Sequence, residues 1–267
     1  MKIPTRSGAT ALFASALLLP GCAVSPAVSP CGAPPELRVP HAAAGEIRLD
    51  GKLDEAAWRR APEYRLTGNP QSFRDCPPEL RRIMEERAKR GNASLRMLWD
   101  DDFLYIGLRC DDTDICSDAT QEQDLNYKYG DTAEIFLKPV GAPWYWELYA
   151  TPNGLRTAFF YPGRGRRGLP STLPPEIPVG NYRIAVRLDG TFNDWSDTDR
   201  GWTLEAAIPR AELSRAGVPL APGTQWSALV AYCDYSCRNP LKESCSFPTV
   251  GSDFHLHEEY ARIRWEE

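Results

Sequence analysis

Alternating apolar and polar positions predict two adjacent β-strands near the middle of the chain, at residues 95–99 and 103–110. Every second residue of the later segment is apolar and would occupy the buried face of a strand: Leu104, Ile106, Leu108 and Cys110. The acidic triplet at 100–102 is typical of a tight polar turn, so the pair is predicted to form a hairpin. A third strand is predicted at 132–138 and carries Glu134 among apolar neighbours.

Similar short segments, separated by turn-forming residues, continue along most of the chain. The segment 77–90 begins with two prolines and is followed by Gly91, which predicts one longer helix. Residues 53–60 and 209–216 predict short helical turns, and Trp58 in the first of them is predicted to point into the core. In total, about ten to twelve short strands predict an all-β fold, a single jelly-roll-like β-sandwich with one inserted helix. The further predicted strands lie at 46–49, 64–67, 146–151, 155–161, 182–188, 202–208, 226–235 and 260–265.

Composition and charge narrow the class of protein. A chain of 267 residues with 42% hydrophobic positions suits one globular domain with a substantial core. Its 24 prolines, 20 glycines and only 3 methionines favour a loop-rich β protein over a helical bundle. The formal net charge of −5 disfavours a nucleic-acid partner, because phosphate binding requires a basic face.

The N-terminus has the features of an export signal. Lys2 and Arg6 precede an apolar segment at 9–19 that is too short to span a bilayer. The tetrapeptide ending at Cys22 resembles a bacterial lipobox, which predicts cleavage before this cysteine and its acylation. The residue after Cys22 is Ala23 and not aspartate. By the same resemblance, this indicates that the protein is anchored in the outer membrane of the cell envelope and faces the periplasm or the cell surface. An ordinary secretory signal with an incidental cysteine is the alternative.

These features divide the chain into three parts. Residues 1–21 are predicted to be a lipoprotein signal peptide, residues 22–44 a proline-rich tether, and residues 45–267 the folded domain. Of the eight cysteines, seven remain after Cys22, and an oxidising compartment predicts disulfide bonds among them, with Cys31 in the tether left over. A zinc site is the rival interpretation, weakly supported by the Cys233–Cys237 spacing. The six cysteines of the domain are Cys76, Cys110, Cys116, Cys233, Cys237 and Cys245.

Several motifs occur in the order found in family 9 carbohydrate-binding modules, which this chain resembles over about residues 45–265. The resemblance implies a DOMON-like β-sandwich that binds a glycan or a sugar end without transforming it and that supports polysaccharide breakdown by other enzymes. The motifs are IRLDGKLDEAAW at 47–58, MLWDDDFLYIG at 97–107, the acidic cluster at 111–114, GDTAEIFL at 130–137, GWTLEAAIPRAEL at 201–213 and SDFHLHEEYARIRW at 252–265.

In the modules of this family, two aromatic rings sandwich a terminal sugar. The resemblance places the first ring at Tyr127 or Tyr129 and the second at Phe254. It assigns Glu134 as an acceptor of hydrogen bonds from sugar hydroxyls. Three more residues are expected at the mouth of the same site: Glu147, Asp234 and His255. The alternative is that these aromatic residues only cover an edge of the sheet and bind no sugar.

The acidic cluster predicts a cation site. Calcium takes six to eight oxygen ligands, and clustered carboxylates supply them. The family resemblance also implies structural calcium, while a solvated acidic loop is the alternative. The predicted ligands are Asp111, Asp112 and Asp114.

Other functions receive less support from the sequence. A glycosidase needs two carboxylates at a set separation, and nothing in the spacing of Glu134 and Glu147 argues for it. Related sandwiches bind haem through Met, His or Lys, but Met97 falls on the apolar face of its strand and His255 near the rim. A structural or assembly domain that kept the fold without its ligand is the main alternative. We therefore expect a monomeric, non-catalytic protein.

Overall fold

The computed structural model describes residues 33–69, 73, 75–163, 182–214, 217–236, 243–251 and 253–267. These residues contain three helices, α1 (Ala56–Arg60), α2 (Pro78–Arg90) and α3 (Arg210–Leu213). Strands dominate, as the sequence predicts. They are β1 (Glu36–Pro40), β2 (Tyr64–Leu66), β3 (Ala93–Trp99), β4 (Phe103–Cys110), β5 (Thr132–Pro139), β6 (Tyr145–Ala150), β7 (Arg156–Tyr161), β8 (Arg183–Asp189), β9 (Gly201–Pro209), β10 (Trp226–Asp234), β11 (Glu243–Phe247) and β12 (Ala261–Glu266).

The strands form two sheets packed as a β-sandwich, which confirms the predicted fold class. The larger sheet has the order β1-β12-β10-β5-β6-β7, with β11 also paired to β10, and the smaller has the order β2-β3-β4-β9-β8. The β1–β12 pair is parallel, and the other pairs of named strands are antiparallel.

The core between the sheets follows the alternation seen in the sequence. Leu104, Ile106 and Leu108 of β4 are fully buried against Ile135 and Leu137 of β5 and other members of one apolar cluster. Because successive side chains of a strand point to opposite faces, the same alternation sends the intervening residues of β5 outward. This second, outward set is what builds the candidate site.

Three parts of the predicted strand pattern need correction. Residues 46–49 form no strand and belong to a loop that packs on the smaller sheet. Strand β1 lies inside the segment predicted as a tether, where Leu37 and Val39 are fully buried. Strand β11 was not predicted, because it contains a single large apolar residue, Phe247. Both missed strands are short, and β1 obtains its hydrogen bonds from β12, far away in sequence, which local patterns do not reveal.

Three of the sequence motifs, those at 47–58, 97–107 and 201–213, meet on the outer face of the smaller sheet. The Trp58 ring packs over Gly107, where an added Cβ would come within 2.9 Å of it. Trp58 Nε1 donates to Oε1 of the buried Glu205 at 3.0 Å, and the backbone N–H groups of Asp50 and Gly51 donate to its Oε2 at 2.8 Å. These residues are structural, in agreement with the predicted core role of Trp58.

The predicted disulfides are not formed among the described cysteines, so that prediction is wrong for them. Cys110 and Cys245 lie in the core between the sheets. Cys233, on the outward face, instead donates from its Sγ to Glu134 Oε1 at 3.3 Å. The cysteines without a disulfide bond are Cys76, Cys110, Cys116, Cys233 and Cys245.

The export features lie outside the described residues, among them the predicted signal peptide, Cys22 and Cys31. Cys237 also lies outside. No helix in the described part of the chain is long and apolar enough to cross a membrane.

Candidate functional site

A cavity of about 480 Å³ opens on the outer face of the larger sheet. It brings together five of the seven residues that the resemblance assigned to sugar binding. They come from the turn before β5, from β5 and β6, and from the loop before β12: Tyr127, Glu134, Glu147, Phe254 and His255.

Strand register explains how the cavity floor forms. Glu134 of β5 lies opposite Tyr149 of β6, and Phe136 lies opposite Glu147. All four side chains therefore share the outward face of the sheet, and Tyr161 of β7 extends the same surface. The diagonal relation between the two glutamates brings their carboxyl groups within reach of each other.

The two glutamates are nearly buried, although both line the cavity. Glu147 is 3% exposed and Glu134 is 5% exposed. The Tyr149 hydroxyl donates to Glu147 Oε1, whereas Glu147 Oε2 has no hydrogen-bond partner among the described residues. Burial, with the neighbouring charge of Glu134 next, raises the pKa of Glu147 to about 8, against the lowering effect of the Tyr149 and Tyr161 hydroxyls. At neutral pH, Glu147 therefore mostly keeps its proton.

Aromatic rings frame these carboxyl groups. The Tyr127 ring meets Tyr149 edge to face at a centroid distance of 5.6 Å. The Phe254 ring meets Phe136 in a similar way at 6.0 Å. On another side, Tyr145 hydroxyl and His255 Nδ1 are hydrogen-bonded at 2.9 Å, which holds the histidine against the sheet. The cavity thus combines half-buried rings with carboxyl groups.

Two predicted sugar-binding residues lie elsewhere. Tyr129 follows a 3-10 turn at Asn126–Lys128, is 43% exposed and does not line the cavity. Asp234, at the end of β10, belongs to a buried group of carboxylates instead. Of the two tyrosines that were alternatives for the first ring, Tyr127 lines the cavity and Tyr129 does not.

Sequence reasoning missed part of the cavity wall. Tyr149 and Tyr161 could have been found by extending the alternation of β6 and β7 from Glu147 outward. The serines of β11 could not, since that strand was not predicted. The cavity residues absent from the sequence-based set are Thr67, Asn69, Phe136, Tyr149, Tyr161, Ser244, Ser246, Val250, Gly251 and Asp253.

A second group of interest is formed by Asp112, Asp131 and Asp234, which are all buried and have carboxylate oxygens within 4.8 Å of one another. Of the three predicted cation ligands, only Asp112 is a member. The side chain of Asp111 is half exposed and lies 3.1 Å from an Arg65 nitrogen.

Asp114, the third predicted ligand, also lies outside this carboxylate cluster, although it is buried. Its Oδ2 accepts a hydrogen bond from Ser236 Oγ at 3.0 Å. The three members of the cluster are far apart in sequence: Asp112 follows β4, Asp131 precedes β5 and Asp234 ends β10. Only the fold brings them together, so the sequence could not identify the set.

The carboxylate cluster has the chemistry expected for a hard cation. Burial, with the charge of Asp112 next, raises the pKa of Asp131 to about 10 and that of Asp234 to about 8. Buried carboxyl groups that repel one another are the oxygen donors that calcium neutralises. The residues present therefore fit the calcium that the family resemblance implies.

The carboxylate cluster and the cavity are linked through one residue. The backbone N–H of Tyr235 donates to Asp131 Oδ1 at 2.7 Å. The hydroxyl of the same tyrosine donates to the backbone carbonyl of Tyr127 at 2.7 Å. The position of the Tyr127 turn thus depends on the position of Tyr235, directly after β10.

Comparison with known proteins supports the fold. No protein-family model and no curated protein sequence matches this chain. Among solved structures, a proposed carbohydrate-binding protein from Bacteroides uniformis is similar with a TM-score of 0.63 at 14% identity, covering 88% of this chain and 100% of that one.

Two structures of a family 9 carbohydrate-binding module from Caldicellulosiruptor kristjanssonii are also similar, both at 13% identity over 86% of this chain. The complex with glucose gives a TM-score of 0.54 over 95% of its chain, and the complex with cellotriose gives 0.51 over 93%. The chain therefore has a β-sandwich fold like that of family 9 carbohydrate-binding modules.

Proposed function

We propose that this protein binds carbohydrate in the cavity on the outer face of its larger sheet and does not transform it. The observation that carries the proposal is the convergence of Tyr127, Glu134, Glu147, Phe254 and His255, which are far apart in sequence, on one cavity. The solved structures of similar fold include modules in complex with glucose and with cellotriose, which supports the same class of ligand.

The lining suits a sugar ring. Pyranose rings present apolar C–H faces to aromatic side chains, and Tyr127 and Phe254 offer such faces at the wall. The ring hydroxyls need donors and acceptors, which Glu134 and Glu147 supply from the floor. Because Glu147 mostly keeps its proton at neutral pH, it can donate a hydrogen bond while Glu134 accepts one.

The test is calorimetric titration of the soluble domain with the oligosaccharide selected on a glycan array. Glu134→Gln is expected to weaken binding by about 1.5–3 kcal/mol, the value of a hydrogen bond to a charged group. Phe254→Ala should also weaken binding, since it removes a stacking face, and Phe254→Trp should strengthen it.

The matched control is Tyr129→Ala, which removes an exposed ring outside the cavity and should bind as the parent does. Equal affinity of the parent and all three cavity variants would place the ligand elsewhere and contradict the proposal. Circular dichroism of each variant separates lost binding from lost folding.

We further propose that the domain is anchored by lipid at Cys22 on the bacterial outer membrane. Cys22→Ser is expected to release the protein from the membrane fraction or to leave an unprocessed precursor, because the acyl chains provide the anchor. Metabolic labelling with palmitate reads this out. Label that persists in Cys22→Ser would refute the assignment.

We also propose that Asp112, Asp131 and Asp234 hold a structural calcium ion. Bound there, the ion would neutralise the three carboxylates and tie the segments around β4, β5 and β10 together. The three carboxylates supply oxygen ligands for the ion. Through its hydrogen bonds to Asp131 and to the Tyr127 carbonyl, Tyr235 connects the ion site to the Tyr127 turn.

A further inference from the structure

The charge of the cavity lining is one-sided. Its described residues include three carboxyl groups, on Glu134, Glu147 and Asp253, and His255 is the only basic side chain among them. No lysine or arginine lines the cavity in the described part of the chain. A ligand with its own negative charge would meet repulsion here, whereas a cationic ligand would meet attraction.

One carboxyl oxygen in this lining, Glu147 Oε2, is buried and has no hydrogen-bond partner among the described residues. Leaving a buried polar atom unpaired is costly, and native structures rarely do so, which makes this oxygen a candidate for pairing with a ligand. The nearby carboxyl group of Glu134, diagonal to it on β5, makes a positively charged partner more favourable than a neutral one.

The aromatic rings point to the same chemistry. A cation held over ring faces gains from their quadrupoles, and acidic groups between rings are a common setting for ammonium recognition. The hydroxyl groups of Thr67, Ser244 and Ser246 border the cavity and suit the hydroxyls of a sugar. The lining thus combines features for an ammonium group with features for a pyranose ring.

We propose that the cavity selects an amino sugar, whose protonated amine pairs with the carboxyl groups of Glu134 and Glu147, over neutral and acidic sugars. This inference rests on the proposed function and specifies its class of ligand. Neutral sugars of the same ring size are the competitors against which selectivity is measured.

Proton balance gives the proposal a distinct signature. Below pH 8, Glu147 mostly carries a proton in the free protein, since its pKa is raised to about 8. When the ammonium group binds, the carboxylate form is favoured and one carboxyl proton passes to the buffer. Affinity for the amino sugar should therefore rise from pH 6 to pH 7, a range in which the amine of the sugar is itself protonated. The titratable groups that face Glu147 or share its cavity are Glu134 on β5, Tyr149 on β6, Tyr161 on β7, Tyr127 in the preceding turn, and Asp253 and His255 in the loop before β12.

The experiment titrates the soluble domain with a β-1,4-linked glucosamine disaccharide, its N-acetylated form, and cellobiose. Each titration is run at pH 7 in two buffers of different ionisation enthalpy, which reports proton release. The free amine is expected to improve affinity by about tenfold or more, the lower range for a charged hydrogen bond. N-acetylation removes the charge and should remove this gain together with the proton release.

Variants locate the effect. Glu147→Gln should lower the ratio of the affinity for glucosamine disaccharide to that for cellobiose toward one. Asp253→Asn, at an exposed position where the amide oxygen can still accept the hydrogen bond from the His255 N–H, should lower the same ratio less. The matched control is Glu86→Gln on α2, whose side chain is 61% exposed and outside the cavity, and its ratio should equal that of the parent.

The outcomes separate the two proposals. Equal or tighter binding of cellobiose by the parent would overturn the amino-sugar inference and leave carbohydrate binding intact. Failure of all three disaccharides to bind would overturn both for these sugars. Ethylamine binding as tightly as the glucosamine disaccharide would show that the sugar ring is not recognised, which also overturns the inference.

Discussion

Removal of divalent cations is expected to lower the midpoint of thermal unfolding by about 10 °C. A ligand that binds only the folded state stabilises it by about 4 kcal/mol at a thousand times its dissociation constant. For a domain of this size, each kcal/mol corresponds to roughly 2–4 °C. The measurement is calorimetry of the domain after treatment with EDTA and again after calcium is restored.

The physical reason lies in the buried carboxylates Asp112, Asp131 and Asp234. Without a cation, burial and mutual repulsion favour their protonated forms, and this cost is carried by the folded state alone. A bound cation compensates their charges and is itself lost on unfolding.

A pair of aspartate variants tests the location. Asp131→Asn should abolish most of the difference between the EDTA-treated and calcium-loaded protein, whatever its own effect on stability. Asp111→Asn removes a half-exposed carboxylate next to the carboxylate cluster in sequence but outside it, so the calcium-dependent difference should persist. An unfolding midpoint that is the same with EDTA and with calcium would refute the cation site.

Glu205→Ala is expected to destabilise the domain by about 3–5 kcal/mol, because several buried donors lose their acceptor at once. The carboxylate accepts hydrogen bonds from the N–H groups of Asp50 and Gly51 and, at 3.3 Å, of Leu53, as well as from Trp58 Nε1. Without it, the loop over the smaller sheet would lose the anchor of its backbone. Urea-induced unfolding monitored by tryptophan fluorescence gives the free energy directly.

The control for this substitution is Glu63→Ala. The side chain of Glu63 is 51% exposed and pairs with Arg96 at the surface, so its loss should cost less than about 1 kcal/mol. Glu205→Gln keeps one acceptor oxygen and should fall between the two. A cost for Glu205→Ala as small as that of the control would mean that the loop is held by packing of Trp58 alone.

The strands could be predicted from the sequence because their pattern is local. The buried face of β4, from Leu104 to Cys110, follows from alternation within eight residues. The same rule put Glu134 on the outward face of β5. In addition, the motif around Trp58 could be recognised as structural without knowledge of its partner.

The cavity was only partly predictable. Alternation places Glu134 and Glu147 on a face, but it does not say that their strands are neighbours in the same sheet. The pairing of β5 with β6 brings the two glutamates together. The turn before β5 places Tyr127 at the cavity and leaves Tyr129 exposed to solvent. Five of the seven predicted sugar-binding residues therefore line one cavity, and their contact with a glycan stays a prediction.

What the chain determines by itself is its strand content, the faces of its strands and its acidic, aromatic-rich character, since each depends on neighbouring residues alone. Tertiary structure decided which distant residues meet. It separated Asp111 from Asp112, and it gathered Asp112 with Asp131 and Asp234 from three segments. It also placed Cys233 next to Glu134 on the outward face, whereas Cys110 lies in the core. The physical reason is that strand pairing brings together residues that no local pattern in the sequence connects.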